Sequence, residues 1–195
     1  MTRRKVAVLI SGRGSNMAAL IEAAKAPDYP AQIVGVLSNR AAAPGLETAA
    51  ANGIATASLA QSKFPSRDMF EDTMTQVLES WGVDYVCLAG FMRILGEDFV
   101  NRWKGRMINI HPSLLPAYKG LNTHERALAD GATEHGCTVH FVTPGLDEGP
   151  AILQARVPVL PGDTPETLSA RILVEEHRIY PEALRMLASG EATLA

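Results

Sequence analysis

The segment MINIHPSLLPAYKG, residues 107–120, places an asparagine and a histidine where their side chains can act together. Residues two apart in a β-strand point to the same face, so Asn109 and His111 are predicted to present an amide and an imidazole to one location. An amide N–H and an imidazolium N–H are suitable donors for the oxyanion of a tetrahedral intermediate. Pro112 and Pro116 restrict the backbone that follows. The alternative is structural, with His111 hydrogen-bonded at a strand end and Asn109 bonding a turn.

A carboxylate that faces the imidazole would favour the catalytic interpretation. Asp147 lies in the turn-rich segment PGLDEGP, residues 144–150, between two predicted strands. A nearby anion stabilises the protonated form of a histidine ring, so Asp147 is a candidate to keep His111 cationic. Asp147 is otherwise an ordinary turn residue, and the adjacent Glu148 is a competitor for the same role.

A glycine loop, SGRGSN at residues 11–16, follows the first predicted strand and precedes a predicted helix. Backbone N–H groups at a helix start, approached closely through glycine, form an anion site. The loop lacks the third glycine of the dinucleotide fingerprint and the Gly-Lys-Ser/Thr of a P-loop, so a single phosphate is favoured over NAD or ATP. The alternative is a tight turn in which Ser15 caps the helix.

The remaining candidates indicate no metal site and no covalent nucleophile. Cys137 and His140 are three apart in a predicted strand and therefore face opposite sides. His135, beside Gly136, is interpreted as a turn residue. No serine lies in the Gly-x-Ser-x-Gly pattern of an α/β-hydrolase, which favours direct transfer over a covalent enzyme intermediate.

The elements that must position these residues alternate between apolar strands and amphipathic helices. Apolar runs that predict strands occur at residues 5–10, 32–38, 84–90 and 106–110, with helices predicted at 15–26, 44–52 and 66–82. Strands that are apolar throughout and alternate with helices are typical of a parallel sheet covered on both faces. We therefore predict an α/β fold, Rossmann-like and doubly wound, with a mostly parallel sheet.

The C-terminal part of the sequence predicts an antiparallel extension and a terminal helix. CTVHFVT and AILQARVPV, residues 137–143 and 151–159, read as two strands joined by the 144–150 loop. The helix should begin after Thr164 with Pro165 in its first turn, and Pro181 should break or kink it. No linker or repeat is visible, so residues 1–195 are predicted to form one domain, with a nucleotide-binding half at about 1–105 and a catalytic half at about 106–195.

Composition narrows the function classes. The formal net charge is −3, which gives no general basic surface for nucleic acid and no polybasic membrane patch. The apolar run near the N-terminus is too short for a signal peptide or a membrane span. With two cysteines and no metal-ligand spacing, we expect a cytoplasmic protein that acts on small molecules. The oligomeric state is left open between a monomer and a homodimer.

Three motifs, in this order and spacing, resemble the folate-dependent formyltransferases: LAGFMRIL at 88–95, NIHPSLLP at 109–116 and LDEGPAILQ at 146–154. SGRGSN directly after the first strand makes the chain most similar to the phosphoribosylglycinamide formyltransferase family. The resemblance covers residues 6 to about 187. It implies transfer of the formyl group of 10-formyltetrahydrofolate to the amine of phosphoribosylglycinamide in purine synthesis, without a metal.

The resemblance also implies roles for individual residues. His111 would be the catalytic acid, Asn109 its partner on the oxyanion, and Asp147 the group that keeps the ring protonated. The implied phosphoribosylglycinamide contacts are Gly14, Ser15, Asn16 and Glu176. The implied formyl-folate contacts are Arg67, Met92, Arg93, Ile94, Leu95, Asn109 and Val142.

Three rival functions have different sequence requirements. A phosphate-binding regulatory module would keep SGRGSN but has no use for a convergence of Asn109, His111 and Asp147. An NAD-dependent oxidoreductase would need the absent third glycine and an acidic residue for the ribose. A hydrolase that releases formate from the same folate is the closest rival, and it differs in forming formate without the nucleotide.

Overall fold

A computed structural model describes residues 2–195 and contains one seven-stranded sheet. The strands are β1 (Arg4–Ile10), β2 (Ala31–Ser38), β3 (Ala55–Ser58), β4 (Tyr85–Leu88), β5 (Met107–His111), β6 (Glu134–Phe141) and β7 (Ala151–Pro158). The helices are α1 (Ser15–Ala23), α2 (Pro44–Ala51), α3 (Arg67–Ser80), α4 (Glu97–Arg102), α5 (Thr123–Ala129) and α6 (Pro165–Ser189). A 3-10 turn covers Gln61–Lys63.

The sheet has the order β3-β2-β1-β4-β5-β6-β7. The first five strands in this order are parallel, whereas β6 pairs antiparallel with β5 and β7 antiparallel with β6. This arrangement confirms the predicted doubly wound α/β fold with an antiparallel extension. The order reverses between β1 and β4, and the crevice at the carboxyl ends of these strands is where folds of this type bind ligands.

Strand β1 shows why its sequence is apolar throughout. Val6, Val8 and Ile10 belong to the core on one face of the sheet, together with α1 and α6. Ala7 and Leu9 belong to the core on the other face, together with α3 and α4. Because both faces are covered, the alternation of polar and apolar residues expected of a half-exposed strand is absent.

A serine side chain caps α3, whereas Ser15 does not cap α1. The Ser66 hydroxyl accepts a hydrogen bond from the Met69 N–H at 3.2 Å. Gly14 occupies the N-cap position of α1 in the left-handed conformation (φ 70°), and Ser15 is the first helical residue. The cap that the alternative interpretation assigned to Ser15 is therefore wrong, whereas its tight turn is not contradicted.

Of the break or kink predicted at Pro181, the break is wrong, because helix α6 continues through this residue. A kink there stays a prediction. A proline in a helix interior costs about 3 kcal/mol. On either side of it, Ile179, Tyr180, Ala183 and Leu184 are buried against the sheet. Each large apolar side chain gains about 1.5–3 kcal/mol on full burial, which outweighs the penalty.

His135 lies within β6 and is buried, so its interpretation as a turn residue is wrong as well. The adjacent Gly136 also lies within the strand and does not form a turn. A Cβ on Gly136 would collide with the Ala155 carbonyl oxygen, so glycine is needed for the close approach of β7 to β6.

Candidate active site

Strand β5 carries Asn109 and His111 to the carboxyl end of the sheet. Both side chains line a cleft of about 510 Å³ at this edge. His111 is 6% exposed and forms the last residue of the strand. The strand geometry that the sequence indicated thus brings an amide and an imidazole to one cleft.

Asp147 reaches the same cleft from the loop between β6 and β7. Its Oδ2 lies 3.4 Å from Nδ1 of His111 and accepts a hydrogen bond from the Gly120 N–H at 2.9 Å. Asp147 has a φ of 50°, and its tight loop depends on Gly149, because a Cβ there would collide with the Phe141 carbonyl oxygen. Glu148 points away and pairs with Lys119 at 3.1 Å, so Asp147 is the carboxylate that faces the imidazole.

Both ring nitrogens of His111 face acceptors. Nδ1 faces the Asp147 carboxylate, and Nε2 lies 2.9 Å from the carbonyl oxygen of Tyr118. A carbonyl oxygen can only accept, and an ionised carboxylate can only accept. Only the imidazolium form, which carries a proton on each nitrogen, satisfies both contacts at once.

The segment between His111 and α5 is held in place by side chains of β6 and β7. The Thr138 hydroxyl donates to the Ser113 carbonyl at 2.7 Å and accepts from the Leu115 N–H at 3.1 Å. Gln154 donates to the Leu115 carbonyl at 2.9 Å. Pro116 follows a cis peptide bond. Neither Thr138 nor Gln154 is distinguishable in the sequence from an ordinary strand residue, which is why they were not predicted.

The glycine loop reaches this cleft through its last residue, Asn16, whereas Gly14 and Ser15 do not line it. The first turn of α1 leaves backbone N–H groups free for an anion, and the Gly45 N–H donates to the Gly12 carbonyl at 3.1 Å. Asn16 lines the cleft and donates through Nδ2 to Oε2 of Glu176 at 3.2 Å, while its buried Oδ1 has no protein partner. A buried acceptor without a partner is suited to a ligand donor.

Glu176 lines the same cleft from α6. It is 7% exposed, and burial raises the pKa of its carboxyl to about 6, partly opposed by the hydrogen bond from Asn16. A buried carboxylate with a raised pKa in a cleft is typical of a ligand-binding group. The structure thus brings Asn16 and Glu176 together with Asn109, His111 and Asp147.

A second cleft of about 190 Å³ adjoins the first, since Asn109 and Asp147 line both. Arg93, Ile94, Leu95 and Val142 also line it. Met92 lines the first cleft instead, and its N–H donates to the Ser11 hydroxyl at 2.8 Å.

Arg67 lines neither of these two clefts. It begins α3, is half exposed, and its Nε lies 3.8 Å from Oε1 of Glu71. Arg67 lies close to Gly96, the residue that follows Leu95, because a Cβ on Gly96 would be 3.1 Å from Arg67 Nη2.

A larger cleft, about 850 Å³, lies at the other end of the sheet. It is lined by residues that precede strands, such as Pro30 and Asp84, together with Arg3. Arg3 donates to the carbonyls of Ala24 and Ala31, so it stabilises the end of α1 and the start of β2. Open α/β sheets bind their ligands at the carboxyl ends of the strands, so size alone does not select this cleft.

Within residues 2–195 no helix is long and apolar enough to cross a bilayer. The same residues contain no group of three or more His, Cys, Asp or Glu side chains arranged to hold a metal ion. Both cysteines, Cys87 and Cys137, are free and buried.

The chain resembles known proteins in both sequence and fold. A model of the formyl transferase family matches residues 4–184. The chain is 51% identical to the human trifunctional purine biosynthetic protein adenosine-3 over 98% of its own length, but it spans only about a fifth, 19%, of that protein. It is 49% identical to phosphoribosylglycinamide formyltransferase of Escherichia coli, covering 95% of this chain and 87% of that protein.

Solved structures agree with these relatives. The phosphoribosylglycinamide formyltransferase of Coxiella burnetii superposes with a TM-score of 0.94 at 50% identity, covering 99% of this chain and 90% of that chain. The enzyme of that name from Brucella melitensis superposes with a TM-score of 0.93 at 52% identity over the whole of both chains. The chain therefore belongs to the formyl transferase family and, within it, to the phosphoribosylglycinamide formyltransferases.

Proposed function

We propose that this chain transfers the formyl group of 10-formyltetrahydrofolate to the primary amine of N1-(5-phosphoribosyl)glycinamide, a step of de novo purine (IMP) synthesis. The observation that carries the proposal is the position of Asn109 and Asp147 on both clefts, with His111 beside them. Two substrates that bind in the two clefts would meet at these side chains.

The first cleft supports binding of the nucleotide acceptor. The free N–H groups that begin α1 at Gly14, Ser15 and Asn16 suit a phosphate monoester, which they bind with the favourable end of the helix dipole. The Glu176 carboxylate can accept hydrogen bonds from ribose hydroxyls. This placement leaves the glycinamide amine to extend towards Asn109 and His111.

The second cleft supports binding of the formyl donor. Arg93, Ile94, Leu95 and Val142 combine apolar walls with backbone groups, which suits a pterin ring that is flat and rich in donors and acceptors. Ile94 and Leu146 are large, exposed apolar residues next to this cleft and offer contact area for an aromatic portion of the donor. Met92 and Arg67 lie next to the cleft residues Arg93–Leu95. In this proposal they are further contacts of the formyl-folate.

The chemistry is direct attack of the amine nitrogen on the formyl carbon. The amine is nucleophilic when neutral, so alignment and stabilisation of the oxyanion are the main requirements. Asn109 and the His111 imidazolium donate to that oxyanion, with the Nε2–H of His111 leaving the Tyr118 carbonyl to do so. Asp147 stabilises the positive charge on the ring.

Collapse of the tetrahedral intermediate breaks the bond from the formyl carbon to N10 of the folate. The former amine gives up one proton and N10 gains one, so no net proton is released. An ordered water near His111 and Asp147 is suited to relay this proton. The products are the formamide of the nucleotide and tetrahydrofolate.

The setting of the reaction follows from composition. A net charge of −3 and two buried free cysteines support a reduced cytoplasmic protein that acts on small molecules rather than on nucleic acid or a membrane. We propose that residues 1–195 act as one domain, since Asn16 of the first half bonds Glu176 of the second. Either a monomer or a homodimer is compatible with this proposal.

One absorbance assay tests the reaction. Loss of the formyl group from 10-formyltetrahydrofolate is followed with and without phosphoribosylglycinamide, and formate is assayed in parallel. The proposal requires deformylation that depends on the nucleotide and yields formylated nucleotide. Deformylation without nucleotide, with release of formate, would instead identify a hydrolase.

A further inference from the structure

His140 lies directly opposite Asn109 in the β5–β6 pair and is not among the residues assigned a role by the motifs. It is 3% exposed, and its Nε2 lies 3.2 Å from Nδ2 of Asn109. We propose that His140 is a positioning residue that fixes the orientation of the Asn109 amide, so that an N–H and not the carbonyl oxygen faces the reacting formyl group. The inference rests on the proposed function for the role of Asn109.

The hydrogen bonds of His140 define its tautomer. Nδ1 lies 2.9 Å from the carbonyl oxygen of Phe141, and a carbonyl oxygen can only accept. The proton of the neutral ring is therefore on Nδ1, and Nε2 is an acceptor.

Burial is the main reason that the His140 ring favours its neutral form. Burial lowers the pKa of His140, and the charge on nearby His111 lowers it further. The Phe141 carbonyl and the Asp147 carboxylate, whose Oδ1 is 3.9 Å from Nε2, oppose this effect without reversing it.

An accepting Nε2 determines which end of the Asn109 amide faces it. The NH₂ group of Asn109 can donate to Nε2, whereas the flipped amide would place two acceptors 3.2 Å apart in a buried site. The second N–H of the same NH₂ group is then free for the oxyanion. His140 thus acts through Asn109 and does not itself contact the substrate.

The ring tautomer can be measured on the unmodified protein. Long-range ¹H–¹⁵N correlation spectra of ¹⁵N-histidine-labelled protein at pH 7.5 should show one ring with Nδ1 protonated and Nε2 unprotonated. Its assignment to His140 follows from the loss of that signal in His140→Gln. An Nε2-protonated or a doubly protonated His140 would overturn the inference, whether or not the protein transfers formyl groups.

The kinetic test compares two variants of this residue. His140→Ala removes the acceptor and should lower kcat by about 10- to 100-fold, as expected when one oxyanion donor is misdirected. The KM for the nucleotide should stay within about 3-fold, because truncation of a side chain remote from the nucleotide contacts leaves that binding unchanged. His140→Gln offers Oε1 as an acceptor in place of Nε2 and should recover most of the lost kcat. Equal losses in Ala and Gln variants, both folded by circular dichroism, would contradict the inference.

A double-mutant cycle separates positioning from a general structural effect. In an Asn109→Ala background, His140→Ala should change kcat by less than about 2-fold, since nothing remains to be oriented. Full additivity of the two losses would mean that His140 acts independently of Asn109. If the wild-type protein forms no formylated nucleotide, the proposed function fails, while the tautomer measurement still decides this inference.

Discussion

Nδ1 of His111 lies 3.4 Å from Oδ2 of Asp147, and Nε2 of the same ring lies 2.9 Å from the Tyr118 carbonyl. The ring is therefore held between two acceptors, and only its protonated form satisfies both. The ring lies beside Asn109 and Asp147, the two site residues that line both clefts.

Loss of the negative charge at residue 147 should reduce turnover strongly. We expect His111→Ala to lower kcat by about 10²–10³-fold, the usual cost of losing an oxyanion donor. Asp147→Asn should approach this loss, because the ring loses the anion that stabilises its positive charge. Nucleotide affinity, measured by calorimetry, should be nearly intact, because neither side chain belongs to the phosphate or ribose contacts. Near-normal turnover in either variant would exclude the proposed mechanism.

Glu148→Gln is the matched control for the loss of the carboxylate. Glu148 neighbours Asp147, but its side chain is exposed and pairs with Lys119. Exposed ion pairs contribute about 0–1 kcal/mol, so this variant should keep its kcat. A large loss in Glu148→Gln would indicate that charge in the loop as a whole, and not the contact with His111, is what matters.

Gly14→Val should weaken nucleotide binding more than it affects turnover. Gly14 has a φ of 70°, and a Cβ there would lie 3.1 Å from Cε of Met17. A side chain in the left-handed conformation costs about 1–2 kcal/mol, so the loop that begins α1 should shift away from the phosphate. Calorimetry with phosphoribosylglycinamide measures the change.

Gly53→Val provides the comparison for this loop. Gly53 has nearly the same backbone conformation, with a φ of 71° and no atom within 4 Å of a Cβ, but it lies beyond the end of α2. Both variants should carry a similar backbone cost from the left-handed conformation, and only Gly14→Val should lose nucleotide affinity. An unchanged affinity in Gly14→Val would mean that the glycine loop is only a turn and does not bind the phosphate.

Glu176→Gln should stabilise the ligand-free protein at alkaline pH. The folded-state pKa of about 6 exceeds the ordinary 4.5, so the folded protein binds this proton more tightly than the unfolded chain. Stability therefore falls as pH rises from 4.5 to 6, and the full loss, about 2 kcal/mol, is present above pH 6. Urea unfolding should show no difference between variant and wild type below pH 4.5 and about 2 kcal/mol in favour of the variant at pH 8.

The same substitution should weaken nucleotide binding by about 10-fold at pH 8, because hydrogen bonds to a charged acceptor are the stronger ones. Glu175→Gln is the control, since Glu175 pairs with Arg178 on the exposed side of α6. It should change neither the pH dependence nor the affinity. A stability gain in Glu176→Gln that is the same at both pH values would contradict the assigned pKa.

Local patterns in the sequence predict the parts of the fold that local forces decide. The spacing of Asn109 and His111 predicts a strand with both side chains on one cleft, and the polar residue Ser66 predicts the start of α3. Pro181 does not break α6, because its local penalty is outweighed by burial of the neighbouring α6 residues, which depends on tertiary packing.

His140 shows why some of the site could not be predicted from the sequence. His140 meets Asn109 only because β6 pairs antiparallel with β5 in one particular register. Nothing in either segment alone specifies that register. The approach of Asp147 to His111 likewise depends on a left-handed residue and on the Gly120 N–H, which the motif LDEGP suggests but does not determine.

Ser11→Ala should disturb both clefts at once. The Ser11 hydroxyl donates to Oδ1 of Asn39 at 2.5 Å and accepts from the Met92 N–H at 2.8 Å. Ser11 therefore connects the glycine loop to residues 92–95, which are proposed to contact the formyl-folate. Its removal leaves a buried amide oxygen and a backbone N–H without partners, at a cost of about 1–3 kcal/mol each when no water replaces them. We expect lower stability in urea and a higher KM for 10-formyltetrahydrofolate, since the Met92 backbone is no longer fixed.

Ser80→Ala is the control for the loss of a hydroxyl. Its Oγ donates to the Val77 carbonyl at 2.6 Å on the exposed end of α3, where water can replace it. Stability and the folate KM should both stay within error of the wild-type values in this variant. If Ser11→Ala lowers stability but leaves the folate KM unchanged, Ser11 supports the fold without positioning the donor, because a freed Met92 backbone would otherwise weaken the contacts of the segment that follows it.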